Sequence, residues 1–225
     1  RASTSWQACS VPPARRSSAR SAPTAGVPWD RVELAPIVLI RGAEGLLADR
    51  AVSRLARLAR ESASVTGEEL EVTTIEAAQY EGGRLAVITS PSLFAEPRHV
   101  EILGLESMTD ALATDVLAYL KDPAPEVTLV LRHGGGVRGK KVLDALVAAK
   151  VTLVACDAIG DRDKPSFVAT EFSRAHRRIS SDGVSALVDA VGSDLRELAA
   201  AAAQLIADTT GTVSEQDVDR YYGGR

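Results

Sequence analysis

The sequence is short of aromatics, cysteines and histidines, and each shortage bears on function. Only 4% of its 225 residues are aromatic and only three are Phe, so a Phe placed in a turn, as Phe94 is, is more informative than usual. Its two cysteines, Cys9 and Cys156, stand far apart, so no disulfide framework forms and a reducing cytosol fits. The three histidines, His99, His133 and His176, are scattered without metal-ligand spacing, and no metal is expected. No apolar run approaches the ~20 residues of a membrane helix. Bulk positive charge is missing too. The net charge is −4, which argues against a domain that binds nucleic acid by charge alone.

That total conceals an asymmetry. Residues 1–31 carry five Arg and one Asp, whereas residues 32–225 carry 21 basic and 29 acidic groups. Residues 1–33 are rich in Ser, Ala, Arg and Pro and show no hydrophobic period. Such a composition does not offset chain entropy by burial, so this stretch is expected to be disordered. It resembles an organelle transit peptide in composition, and an upstream extension fits equally well.

Order is expected from about Pro36. Ile37-Val38-Leu39-Ile40 reads as a strand buried on both faces. Gly42 follows, then a helix from Gly45 to about Ser62 with Leu47, Ala51, Val52, Leu55, Leu58 and Ala59 at helical spacing. Further strands are expected at Leu70–Ile75, His99–Gly104, Val127–Leu131 and Val151–Cys156. Gly82–Thr89 is ambiguous between strand and helix. Ser107 with Asp110 three residues later marks a helix start like a capping box, and Lys140–Ala149 is a short helix after a flexible Gly134-Gly135-Gly136 turn. Five strands alternating with helices predict a three-layer α/β sandwich with a parallel sheet. From Asp161 onward everything reads helical: Pro165–Arg178, Ser181–Val191, Asp194–Ala207 and a last helix from Ser214. The organisation is therefore 1–33 disordered, 34–160 α/β and 161–225 a small helical bundle.

One stretch breaks the pattern. In Ser90-Pro91-Ser92-Leu93-Phe94-Ala95-Glu96-Pro97 two large apolar side chains stand between prolines that lack N–H groups and fix φ. It reads as a stiff turn holding Leu93 and Phe94 at one end of the domain. They either plug a loop onto the core, the commoner fate of such side chains, or form an exposed wedge for a partner's pocket.

Catalytic machinery is absent where it would be sought. After the first strand, Arg41-Gly42-Ala43-Glu44-Gly45-Leu46-Leu47-Ala48-Asp49 has no Lys for β/γ-phosphates and no Ser or Thr for Mg²⁺, and Glu44 and Asp49 repel phosphate. Gly134-Gly135-Gly136-Val137-Arg138-Gly139-Lys140-Lys141 has G-x-x-x-x-G-K spacing, but Lys141 stands where the Mg²⁺ ligand belongs. It reads as a loop with a basic edge, where Arg138, Lys140 and Lys141 contact DNA or another phosphate. Arg174, Arg177 and Arg178 beside His176 read as a solvated basic helix face. No catalytic site and no cofactor are expected.

These pieces, in this order, resemble one family. Ile37-Val38-Leu39-Ile40-Arg41-Gly42-Ala43-Glu44-Gly45-Leu46-Leu47, Pro91-Ser92-Leu93-Phe94, Tyr119-Leu120-Lys121-Asp122-Pro123, Gly139-Lys140-Lys141 and Gly192-Ser193-Asp194-Leu195-Arg196-Glu197-Leu198 are similar to the delta subunit of the bacterial DNA polymerase III clamp loader. The resemblance spans about residues 34–225. It implies an AAA+-like domain with a decayed nucleotide site, followed by a helical lid. It also implies a cytoplasmic role in DNA replication, inside a DNA-directed DNA polymerase holoenzyme, a nucleotidyltransferase. In that family the delta subunit binds the ring-shaped sliding clamp and opens it. A Leu-Phe pair makes the contact, which falls here on Leu93 and Phe94, with Ser92 beside them. Sister subunits hydrolyse ATP, DNA is met through the assembled complex, and a third, helical collar domain normally follows; the sequence ends before it. Two rival readings are a P-loop ATPase using Gly134–Lys141 and another AAA+ clamp-loader subunit serving as an interaction module.

Overall fold

The computed structural model describes residues 26–91 and 96–223. Strand β1 (Ile37–Arg41) leads into α1 (Gly45–Thr66), followed by β2 (Glu71–Glu76), α2 (Arg84–Ile88), β3 (Arg98–Leu103), α3 (Asp110–Tyr119), β4 (Val127–His133), α4 (Lys140–Ala148) and β5 (Thr152–Ala155). The five strands form one parallel sheet in the order β2-β3-β4-β1-β5. The order places β1 between β4 and β5, so its apolar run is buried throughout, with Val38, Leu39 and Ile40 at 0% exposure. The alternating side chains of β1 divide between two cores. Ile37 and Leu39 face α3 and α4 with Val100, Ile102, Leu129, Leu131, Leu112 and Leu146. Val38 and Ile40 face the other way, with Val130, Val154 and Leu55 of α1.

That second core does not stop at the sheet. Phe172 of α5 (Lys164–Arg174), Leu187 of α6 (Ser181–Val191), Leu198 and Leu205 of α7 (Leu195–Asp208) and Val218 of α8 (Glu215–Tyr222) belong to the same cluster. The helices are therefore packed onto the sheet through apolar contact. Their starts follow from caps. Asp194 accepts from the backbone N–H of Arg196 and Glu197, and Ser214 with Asp217 closes a reciprocal capping box.

Several expectations need correction. The ambiguous Gly82–Thr89 stretch is helical as α2. Helix α3 is capped by Thr109, whose Oγ1 accepts the Leu112 N–H at 3.2 Å. Ser107 instead ends a 3-10 turn, Leu105–Ser107, entered through Gly104 at φ 72°. The region after 161 is not wholly helical, because β6 (Arg178–Ile179) and β7 (Thr212–Val213) pair in parallel. Helix α5 stops at Arg174, and His176 takes a left-handed φ of 54°. Arg177 then turns inward, donating to the Ile206, Thr209 and Gly211 oxygens. Arg174, Arg177 and Arg178 therefore do not share a helical face.

Order begins before Pro36. Val27 bridges Val154 of β5 in parallel, Val32 is completely buried, and the guanidinium groups of Arg50 and Arg174 approach the Trp29 ring to 5.3 and 4.4 Å from its centroid. Residues 26–33 were expected to be disordered because they are polar and aperiodic. The buried Val32 side chain, the Val27 backbone bridge, cation–π contacts to Trp29 and the Arg54 bond to the Val32 carbonyl (2.9 Å) hold them. Residues 1–25 lie outside the described residues.

Candidate functional site

Open parallel sheets take ligands in the crevice beyond the carboxyl ends of their strands. Here that crevice is built by the loops after β1 and β4. The N–H of Gly42 donates to the His133 carbonyl (3.1 Å), and Arg41 reaches the Gly136 carbonyl (3.1 Å). Gly42 has φ 153°, and a Cβ on it would stand 1.9 Å from the Cys156 carbonyl oxygen. Only glycine fits where the β1 and β5 exits touch.

The crevice is already filled with the chain's own charges. Glu44 caps α1, its carboxylate accepting the Leu46 N–H at 3.1 Å. Asp49 pairs with Arg132 and with Arg196, both at 2.6 Å. A bound triphosphate needs free amides and cations at this place, whereas Glu44 takes the Leu46 amide and Asp49 takes both guanidinium groups. Cys156 is fully buried, and burial pushes its thiol up to about 11, so it is no nucleophile.

The glycine loop after β4 is pinned, not flexible. Gly135 donates its N–H to His133 Nδ1 at 3.0 Å, which leaves Nε2 carrying the hydrogen that meets the Arg138 carbonyl at 3.0 Å. Glu106 accepts the Gly134 N–H at 2.8 Å. Burial alone would raise the Glu106 pKa. The Gly134 N–H and the nearby His133 and Arg132 outweigh burial and lower it. Two amides that a phosphate cradle would present are thus consumed inside the protein. Lys140 pairs with Asp144 at 2.7 Å. The structure does bring Arg138, Lys140 and Lys141 together: all three are exposed and line an open cleft of about 780 Å³ with Glu106, Met108 and Asp110.

Ser92, Leu93 and Phe94 lie outside the described residues, but both flanks of their turn are described. Ahead of it, α2 is bolted to α3. The Tyr80 hydroxyl donates to Asp115 (2.7 Å) and accepts the Leu85 N–H (2.6 Å), while Gly83 donates to the same carboxylate (2.7 Å). Arg98, at the start of β3, reaches back to the carbonyls of Ile88 (3.1 Å) and Ser90 (2.5 Å). Behind the turn, the Pro97 carbonyl accepts the Glu71 N–H at 3.2 Å. A groove of about 610 Å³ opens beside Pro91, lined by Leu85, Ala86, Tyr119, Pro123 and Pro125. Arg98, Tyr80 and Asp115 carry no pattern in the sequence, because polar contacts at irregular separations of 5 to 35 residues set no period.

Among the described residues no group of three or more His, Cys, Asp or Glu is placed to hold a metal ion, and no helix is long and apolar enough to cross a membrane. The three histidines stay apart. His99 is buried against Glu101 (3.1 Å), His133 holds the glycine loop, and His176 is exposed.

No family profile and no curated protein sequence matches the chain. Similarity appears in three dimensions. The Bacillus subtilis DNA clamp loader delta protein (YqeN) superposes with a TM-score of 0.63 at 15% identity, over 85% of this chain and 59% of that one. The Thermotoga maritima RuvB Holliday junction branch migration motor gives 0.50 at 13% identity, over 85% and 62%. A variant of the same RuvB gives 0.51 at 15%, over 85% and 63%. The chain spans about three-fifths of the length of these proteins. The fold is thus an AAA+-like α/β fold.

Proposed function

We propose that this chain is a clamp-loader subunit of the delta class, which binds a ring-shaped sliding clamp and holds it open for loading onto primed DNA. One observation carries the reading. A fold similar to a clamp loader delta protein carries two acids, Glu44 and Asp49, after its first strand, where they take the Leu46 N–H and the Arg132 and Arg196 guanidinium groups. A fold of this kind without a phosphate site works as a binding and mechanical part, with ATP handled by sister subunits. In this reading residues 34–160 are the AAA+-like unit, residues 161–225 are the lid, and Ser92, Leu93 and Phe94 dock on the clamp. Proline-bracketed flanks held by Arg98 and Pro97 favour docking because a fixed turn loses less entropy. Arg138, Lys140 and Lys141 meet the DNA backbone in the assembled loader.

The test is a titration of the full chain with a bacterial sliding clamp. Each buried apolar side chain contributes roughly 1.5–3 kcal/mol, so Leu93→Ala with Phe94→Ala weakens binding by roughly 100-fold or more while circular dichroism stays unchanged. An unaltered affinity would refute the assignment of the turn.

A further inference from the structure

Asp49 lies one turn into α1, and its carboxylate is shared between two parts of the chain. Oδ1 stands 2.6 Å from Nη1 of Arg132 on β4. Oδ2 stands 2.6 Å from Nη2 of Arg196 in the first turn of α7. The two guanidinium groups come from a strand and a helix that are far apart in sequence, yet they converge on one acid. Both guanidinium groups lie over Gly45 at the start of α1, where an added Cβ would make ordinary contact with Arg196 Nη2 (3.6 Å) and Arg132 Nη2 (3.9 Å). Guanidinium groups hold phosphate oxygens by the same charge-assisted N–H···O bonds with which they hold a carboxylate. Glu44 does not compete for the pair, because its carboxylate is engaged by the Leu46 N–H.

We infer that Arg132 and Arg196 form an oxyanion receptor whose occupant is the chain's own Asp49, and that removing this carboxylate opens the receptor to an external phosphate-class oxyanion. The native protein thereby joins sheet and helices at this point without any ligand. The inference is independent of clamp binding. The groups facing the receptor fit a permanent internal occupant. Asp49 foremost, with Asp194 and Glu44, keeps Arg196 charged and its pKa raised. Arg132 also feels Glu106 and lies beside the Cys156 and Asp157 turn. With so many acids nearby, an added anion meets repulsion in the native chain and gains entry only when one negative charge is taken away.

Thermal unfolding of the full chain at low ionic strength tests this. Asp49→Ala leaves two guanidinium groups facing each other, and Tm falls by roughly 2–4 °C. Inorganic phosphate at roughly 10 mM returns about half of that fall or more, while sodium chloride of matched ionic strength does not. Wild type shows no phosphate response beyond that of chloride. In the double variant Asp49→Ala with Arg196→Ala the phosphate response disappears. The inference is overturned if phosphate and chloride act alike on Asp49→Ala, if the response survives loss of Arg196, or if wild type responds as strongly. Should Asp49→Ala fail to fold, Asp49→Asn keeps the side-chain shape, removes only the charge, and is held to the same outcomes.

Discussion

Tyr80 offers the sharpest test of how the region ahead of the Leu93–Phe94 turn is held. The side chain is 5% exposed, and its hydroxyl is both donor to Asp115 and acceptor from the Leu85 N–H. Tyr80→Phe keeps the ring and removes that one atom. The Leu85 N–H in the first turn of α2 then has no acceptor, a loss of roughly 1–3 kcal/mol. Asp115 keeps Gly83 as a donor, so the expected total is about 2 kcal/mol at neutral pH, or roughly 4–8 °C in Tm. The same contact has a signature at high pH. Burial, and then the Asp115 carboxylate, push the phenol up to about 12. A phenol raised in the folded state loses its proton first in the unfolded chain. Its contribution is therefore whole below pH ~10 and is lost as pH climbs toward 12. Near pH 11 the gap between wild type and Tyr80→Phe narrows by about 1.4 kcal/mol. Urea unfolding followed by far-UV circular dichroism measures the gap at each pH. Equal stabilities at pH ~7, or a gap that stays constant up to pH ~11, would refute the reasoning. Because α2 ends three residues before Pro91, the clamp binding proposed above should weaken in the same variant.

Three further outcomes are expected. Gly42→Ala places a methyl 1.9 Å from a backbone oxygen that has no room to retreat, so folded, soluble protein is lost; a cooperative melt near the wild-type Tm contradicts the close β1–β5 exit. Arg98→Ala strips the guanidinium from the Ile88 and Ser90 carbonyls, at a cost of roughly 1.5–3 kcal/mol, and speeds amide exchange at Thr89 and Ser90 relative to the sheet. Exchange that is uniform with wild type argues that Arg98 holds nothing there. The lowered Glu106 pKa means its support of the Gly134 loop is complete above the ordinary carboxylate range and is lost as pH falls through the folded value. An NMR titration of the Gly134 amide should show a midpoint below the ordinary glutamate value, and a midpoint at or above it removes the proposed coupling.

The fold was readable wherever burial imposed a period. The run Ile37–Ile40 announced a strand buried on both faces, and it lies between β4 and β5 with apolar neighbours above and below. The missing Lys and Ser after Gly42 were legible in the sequence; that Glu44 takes the Leu46 N–H and Asp49 takes Arg132 and Arg196 was not. What escaped the sequence depends on contacts between remote residues. Nothing near Asp49 reveals that Arg196, 147 positions away, will meet it. Nothing in the glycine run predicts that His133 and Glu106 will immobilise it. Residues 26–33 looked like their polar neighbours because Val27, Trp29 and Val32 are too few to set a period, though each finds a partner.

The crossing of Val27 over Val154 bears on how the molecule stays apart from its own copies. The end strands of a sheet present unpaired amides and carbonyls, a template for joining another chain. At β5 the backbone of residues 26–27 covers that template, with the Val27 N–H donating to the Leu153 carbonyl at 2.8 Å. At β2 the protection is of another kind: Glu71 and Glu76 put negative charge at both ends of an exposed strand. One border of the sheet is shielded by a passing chain and the other by repulsion. Trimming the sequence to Leu34 would strip the first shield and leave the second, so self-association should begin on the β5 side.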